Sequence, residues 1–163
     1  MSSFFTILSR FFWRLLVAVN ILILPFGSAL YAHDDGSHKE TISIEGAWAP
    51  HTGKRSFSAA VYLTIRNIGD ELLVLEGVET PAATTAMLHQ SIETDGIMSM
   101  DHVAELEIPA GGSASLTPGA YHIMLTQLKK PLARGEVFPL TLSFKHVGDV
   151  TIMVEITGMG GLE

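Results

Sequence analysis

The sequence predicts an all-β domain, an antiparallel sandwich or barrel with Greek-key connections. Apolar and polar residues alternate with period two in several short runs, and turn-forming pairs separate those runs at close intervals. No long stretch follows the 3.6-residue period of a helix.

Residues 1–32 read as a secretory signal. Arg10 and Arg14 supply a basic start, Leu15 to Leu24 an apolar stretch broken by Asn20, and Pro25, Gly27 and Ser28 a break. Ala29 or Ala32 suits cleavage, although Leu30 is larger than usual for a position beside such a site. The rival is a retained anchor, against which an apolar run of about ten residues is short for a bilayer. Residues 33–40 are polar and turn-forming and read as a flexible start to the mature chain. Within them His33 and His38 could contact a metal, although a solvated tail is the commoner reading of such a segment. The domain spans 41–157, and 158–163 read as a loose end.

Within the domain, Val61, Leu63 and Ile65 alternate with Tyr62, Thr64 and Arg66. Phe138, Leu140, Leu142 and Phe144 alternate with Pro139, Thr141, Ser143 and Lys145, and Val150 to Ile156 repeats the pattern. Each is a half-buried strand whose side chains point alternately inward and outward. Turn signals fall at Asn67–Asp70, Asp95-Gly96, Gly111-Gly112, Pro118-Gly119 and Gly148-Asp149.

Removal of residues 1–32 leaves eight Lys and Arg against all 17 acidic residues, a formal charge of −9 with His neutral. That balance repels nucleic acid and anionic lipid. There is no cysteine. The chain therefore has no disulfide framework, no cysteine to carry a lipid, and no thiolate for a blue-copper centre. Any soft-metal site must use thioether and imidazole. Enzyme signatures are missing too: there is no Gly-x-Ser-x-Gly elbow, phosphate-cradling loop or His-Glu-x-x-His helix. The protein is not expected to be an enzyme, and no small-molecule substrate is expected.

Two segments carry chemistry. In 121–125, Tyr121, Ile123 and Leu125 share the core-like face, so His122 and Met124 share the other, pointing outward side by side. In 84–104 a hairpin turns around Glu93-Thr94-Asp95-Gly96. A four-residue loop sets His89 opposite Met100, whereas a two-residue Asp95-Gly96 loop sets it opposite His102. Either way Met87, His89, Met98, Met100 and His102 lie on one face, because the side-chain period is two. Thioether sulfur is soft, neutral and never protonated, so with imidazole it selects Cu(I) over Zn²⁺ or Mg²⁺.

The spacing of His89, Met100, His122 and Met124, set among Ala47-Trp-Ala49, Ala60 to Asn67, Asp95 to Met100, Ile108 to Gly112, Pro118 to Leu125 and Val137 to Phe144, resembles the periplasmic Cu(A) chaperones of the PCu(A)C (PCuAC) family. The likeness runs from about Ile42 to Ile156. It implies a cupredoxin-like β-barrel holding Cu(I) through those four residues, with Met98 and His102 as auxiliary candidates on the same face. It further implies delivery of copper in the periplasm towards the Cu(A) centre of cytochrome c oxidase. A monomer is expected, and the outward facing of His122 and Met124 predicts release by ligand exchange, a route that burial of both side chains would close. The acceptor would be the oxidase subunit itself or a Sco-type thiol protein. Compared with many members, Pro118-Gly-Ala120 replaces Pro-Gly-Gly, and no long Met/His-rich extension follows the domain. The rival readings are a copper buffer without a dedicated acceptor and a metal-free β-sandwich adhesion module.

Overall fold

The computed structural model describes residues 41–158 and Gly161; residues 1–32, read above as an export signal, and His33 and His38 lie outside the described residues. Ten strands follow one another: β1 (Ile42–Pro50), β2 (Ser58–Asn67), β3 (Leu73–Glu79), β4 (Ala83–Thr94), β5 (Ile97–His102), β6 (Leu106–Ile108), β7 (Ser113–Leu116), β8 (Tyr121–Leu128), β9 (Val137–Phe144) and β10 (Gly148–Thr157). Among the described residues there is no helix. The strands pair in the order β5-β4-β8-β2-β1-β10-β9-β3-β6, with β7 also on β2. All pairs are antiparallel except β1 with β10, which is parallel. Sequence-distant neighbours such as β2 with β8 and β3 with β9 show that the chain crosses over between strands rather than running as a simple meander.

β2 organises the sheet around the site. Its first half, Ser58 to Val61, pairs with β8, and its second half, Leu63 to Arg66, pairs with β7 along the same edge. The inner faces of both ladders meet in one core. Ile65, Ile123, Leu125, Leu140 and Leu142 are each fully buried there, and each such side chain contributes about 1.5–3 kcal/mol relative to exposure. Two bulges bend the sheet. In β1 an extra residue lies between Glu45 and Trp48, with Gly46 at φ +58°, a conformation glycine adopts without a Cβ clash. In β3 the extra residue lies between Leu75 and Gly77.

Asn67 is buried, and its amide is fully engaged. Nδ2 donates to the Glu71 carbonyl at 2.7 Å and to the Ile108 carbonyl at 2.9 Å, and Oδ1 accepts from the Gly69 amide at 3.1 Å. A buried polar group satisfied in this way is structural. At the other end of the domain, Gly158 and Gly161 form an isolated bridge, and Gly161 lies against the Trp48 ring, where a Cβ would come within 3.1 Å of it. Those two glycines are the described residues of the segment read as a loose end.

Candidate metal centre

The β4–β5 hairpin sets the register of the site. Asp95 and Gly96 both take positive φ, 53° and 76°, the conformation of a two-residue type I′ turn for which Asp-Gly is a favoured pair. Thr94 therefore pairs with Ile97, and His89 lies directly opposite His102. The four-residue loop, with His89 opposite Met100, does not form. Met100 instead faces Ser91, one step nearer the turn on the same face, and Met98 faces Glu93.

On the other side of β4, β8 pairs so that His89 faces His122 and Met87 faces Met124. Three strands thus carry a row of imidazoles, His102, His89 and His122, on one sheet face. Beside this row runs a second one of thioethers, Met87 and Met124, which ends at Ala60 on β2. The His89 ring centroid lies 6.0 Å from that of His102 and 6.0 Å from that of His122. An imidazole nitrogen sits about 2.0–2.1 Å from a first-row metal and about 1.1 Å from its ring centre, so two rings sharing one ion have centroids at most about 6.4 Å apart. Both pairs fall within that limit.

The alternation along β8 is as the sequence predicts, with Ile123 and Leu125 in the core and His122 and Met124 on the opposite face. The expectation that both would be open to solvent is corrected for His122, which is only 5% exposed. Facing away from the core does not mean facing water. His122 is flanked on β4 by the His89 ring, its centroid 6.0 Å away, and β2 borders β8 on the other side as far as the Val61–Ile123 pair. Met124 is half-buried. The exposed ligand candidates lie on β5, where Met98 is 58% and Met100 61% exposed and all six residues are open.

Each histidine is prepared differently. His122 Nδ1 lies 3.1 Å from the Ala120 carbonyl. A carbonyl only accepts, so Nδ1 donates and the neutral ring keeps its lone pair on Nε2. A backbone carbonyl holding the remote nitrogen is the usual way a ligand histidine is oriented. His89 Nδ1 is buried and has no hydrogen-bond partner. Leaving such an atom unsatisfied costs about 1–3 kcal/mol, which contact with a ligand would relieve. Burial holds the His89 pKa below the ordinary histidine range, and the charges of His122 and His102 lower it further. His89 is therefore neutral and able to donate its lone pair near neutral pH.

The field around the site is negative. Between Asn67 and Leu128 the chain carries nine Asp and Glu and no Lys or Arg. A cleft of about 310 Å³ opens beside the histidine row, lined by Met87 from β4, His102 from β5, and Glu76 and Glu79 from β3. Among the described residues no three His, Cys, Asp or Glu side chains are grouped to hold an ion.

Sequence reasoning placed His89, Met98, Met100 and His102 on one face of the hairpin and His122 and Met124 on the outward face of their own strand; the β4–β8 pairing joins the two into one face. Sequence reasoning gave less weight to Met87, which is directly opposite Met124; its spacing two residues before His89 was the available signal.

The strand order and this face define a cupredoxin-like domain of the PCuAC type, and the comparisons agree. The Cu(I) form of DR1885 from Deinococcus radiodurans is 28% identical, with 80% of this chain and 87% of that one covered and a TM-score of 0.62. The copper-bound PCuAC domain from PmoF2 is 22% identical over 72% of this chain and 93% of that one, also at a TM-score of 0.62, and shows the shared fold. The family model described as "Putative lipoprotein LpqE-like" matches residues 42–156, and the chain belongs to this LpqE-like family. A relative from Leifsonia xyli subsp. xyli (strain CTCB07), named "Putative lipoprotein Lxx21020", is 28% identical over 131 residues, 80% of this chain and 78% of that protein.

Proposed function

We propose that the protein is an exported Cu(I) chaperone that holds one ion through His89, Met100, His122 and Met124 and passes it on by ligand exchange. The observation that carries this is the buried, unpartnered Nδ1 of His89 with the His122 ring 6.0 Å away, on a face that also carries the thioethers of Met87 and Met124. Two neutral imidazoles and two thioethers suit the soft monovalent ion, and they leave the centre with about the charge of the metal itself. Copper is the cargo here, so no reaction is catalysed. His89, His122 and Met124 grip it from β4 and β8, and Met100 closes over it from the exposed β5.

The fold shared with a Cu(I)-bound relative supports copper as the cargo. The basic and apolar start of the chain, together with the lipoprotein names among its relatives, supports export. In the periplasm the copper would move towards the Cu(A) centre of cytochrome c oxidase, either directly or through a Sco-type thiol protein. Thiolate is a stronger donor to Cu(I) than thioether, so transfer to a dithiol runs downhill. The test is anaerobic mixing of the Cu(I)-loaded protein with an apo Sco-type dithiol protein, followed by separation and copper analysis. Copper recovered on the dithiol protein supports delivery. Copper retained on this chain would make it a buffer.

A further inference from the structure

His122 is buried, yet copper bound to it must reach an acceptor. This inference rests on the copper-binding reading above. We infer that the face holds two overlapping copper positions that share His89 and Met100, and that His102 forms the outer one, from which the ion leaves.

The placement of His102 argues for it. It is paired directly with His89 across β4–β5, as His122 is across β4–β8, and the two ring separations are the same, 6.0 Å. His89 thus stands midway and can share an ion with either neighbour without moving along the strand. The two sides differ in depth. His122 is 5% exposed and Met124 half-buried, whereas His102 is exposed on the edge strand, Met100 stands two residues from it on the same face, and Met98 follows. His102 also lines the cleft between β3 and β4, where an incoming group has access.

In the inner position Cu(I) is bound by His89, His122, Met124 and Met100. The Cu–N bond to His122 and the Cu–S bond to Met124 break, and a Cu–N bond to His102 forms, while His89 and Met100 stay attached. Copper remains Cu(I), and no electron or proton moves while the imidazoles are neutral. The outer ion is three-coordinate and lies at a free sheet edge, so an acceptor sulfur has an open approach. A soft d¹⁰ ion tolerates that change in coordination number with little geometric preference.

The test compares the wild type, His122→Ala, His102→Ala and the double variant by anaerobic Cu(I) titration and by stopped-flow release to excess bicinchoninate. Circular dichroism checks each fold, and His122→Gln replaces His122→Ala if the smaller side chain unfolds the protein. His122→Ala is expected to keep one equivalent of Cu(I), bound about 10–100-fold more weakly, and the double variant to lose it. His102→Ala alone is expected to slow release about tenfold, a barrier increase of about 1.4 kcal/mol. Equal binding by His122→Ala and the double variant, no binding by His122→Ala, or unchanged release from His102→Ala would overturn the outer position. Those results with an intact wild-type site leave the chaperone reading standing, whereas a wild type that binds no Cu(I) removes both.

Discussion

Two hairpins of this domain share a backbone plan and differ in what their side chains do. β9–β10 pairs over eight residues and sends Phe138, Leu140, Leu142 and Phe144 from β9, and Val154 and Ile156 from β10, into the same core. β4–β5 pairs over six residues, and all of β5 is exposed, Ile97, Met98 and Met100 included. The first hairpin holds the barrel together. The second is an edge strand with unpaired outer backbone groups and uncovered thioethers, a feature that natural proteins usually shield. The contrast teaches that the same residue class, large and apolar, serves stability in one hairpin and is left open for the proposed copper chemistry in the other. Burial decides which.

The largest expected effect sharpens that division. Leu142→Ala should destabilise the domain by about 2–5 kcal/mol, because it opens a cavity in a closed core. Met100→Ala removes a side chain of similar size from an exposed position and should change stability by no more than about 0.5 kcal/mol. Urea denaturation of the two variants checks this, and a comparable loss in both would break the comparison.

The next effect concerns the turn. Replacing Gly96, at φ +76°, with valine puts a β-branched residue in a left-handed position and should cost about 1–2 kcal/mol, with loss of register at the site face. The space around Gly96 is open, so the cost comes from backbone strain rather than a clash. The measurement is the denaturation midpoint, together with the histidine ring resonances. Unchanged values would show that the turn does not set the register.

A smaller effect has the opposite sign. His89→Leu should raise the stability of the copper-free domain by up to about 1 kcal/mol, because it removes a buried nitrogen that has no partner. Copper binding should be lost in the same variant, as expected where a functional site is held at some cost to stability. A destabilised His89→Leu would mean that the ring has a structural role.

The smallest effect is the dependence on pH. His89 has a lower pKa folded than unfolded. Between those two values the unfolded chain binds more protons, so stability falls as the pH drops through about 6.5 and stops falling below the folded pKa. Between about pH 7.5 and 5, the copper-free wild type should therefore lose more stability than His89→Leu does. Parallel losses would show that His89 does not titrate differently on folding.

The alternating runs of β2, β9 and β10 were legible in the sequence because a half-buried strand must place its apolar residues on one face. The shared face of the hairpin was legible for the same reason. Its register was not, since Glu93-Thr94-Asp95-Gly96 admits two loop lengths that leave every side chain on the same face and change only who sits opposite whom. The left-handed pair Asp95-Gly96 settled it in favour of His102. The burial of His122 was also hidden, because alternation reports the direction of a side chain and not what the next strand lays beside it. The pairings of β1 with β10 and of β2 with both β7 and β8 join distant residues, which period-two patterns do not encode.

The central claim is that the outer face of β4, β5 and β8 is one Cu(I) site built from imidazole and thioether. Its most direct test is an anaerobic Cu(I) titration against a competing chromophoric chelator, with a His122→Ala/Met124→Ala variant measured alongside. The expected result is one tight equivalent in the wild type, lost in the variant while its fold remains intact. Absence of competition by the wild type, or equal binding by the folded variant, would contradict the claim and leave this face without its proposed cargo.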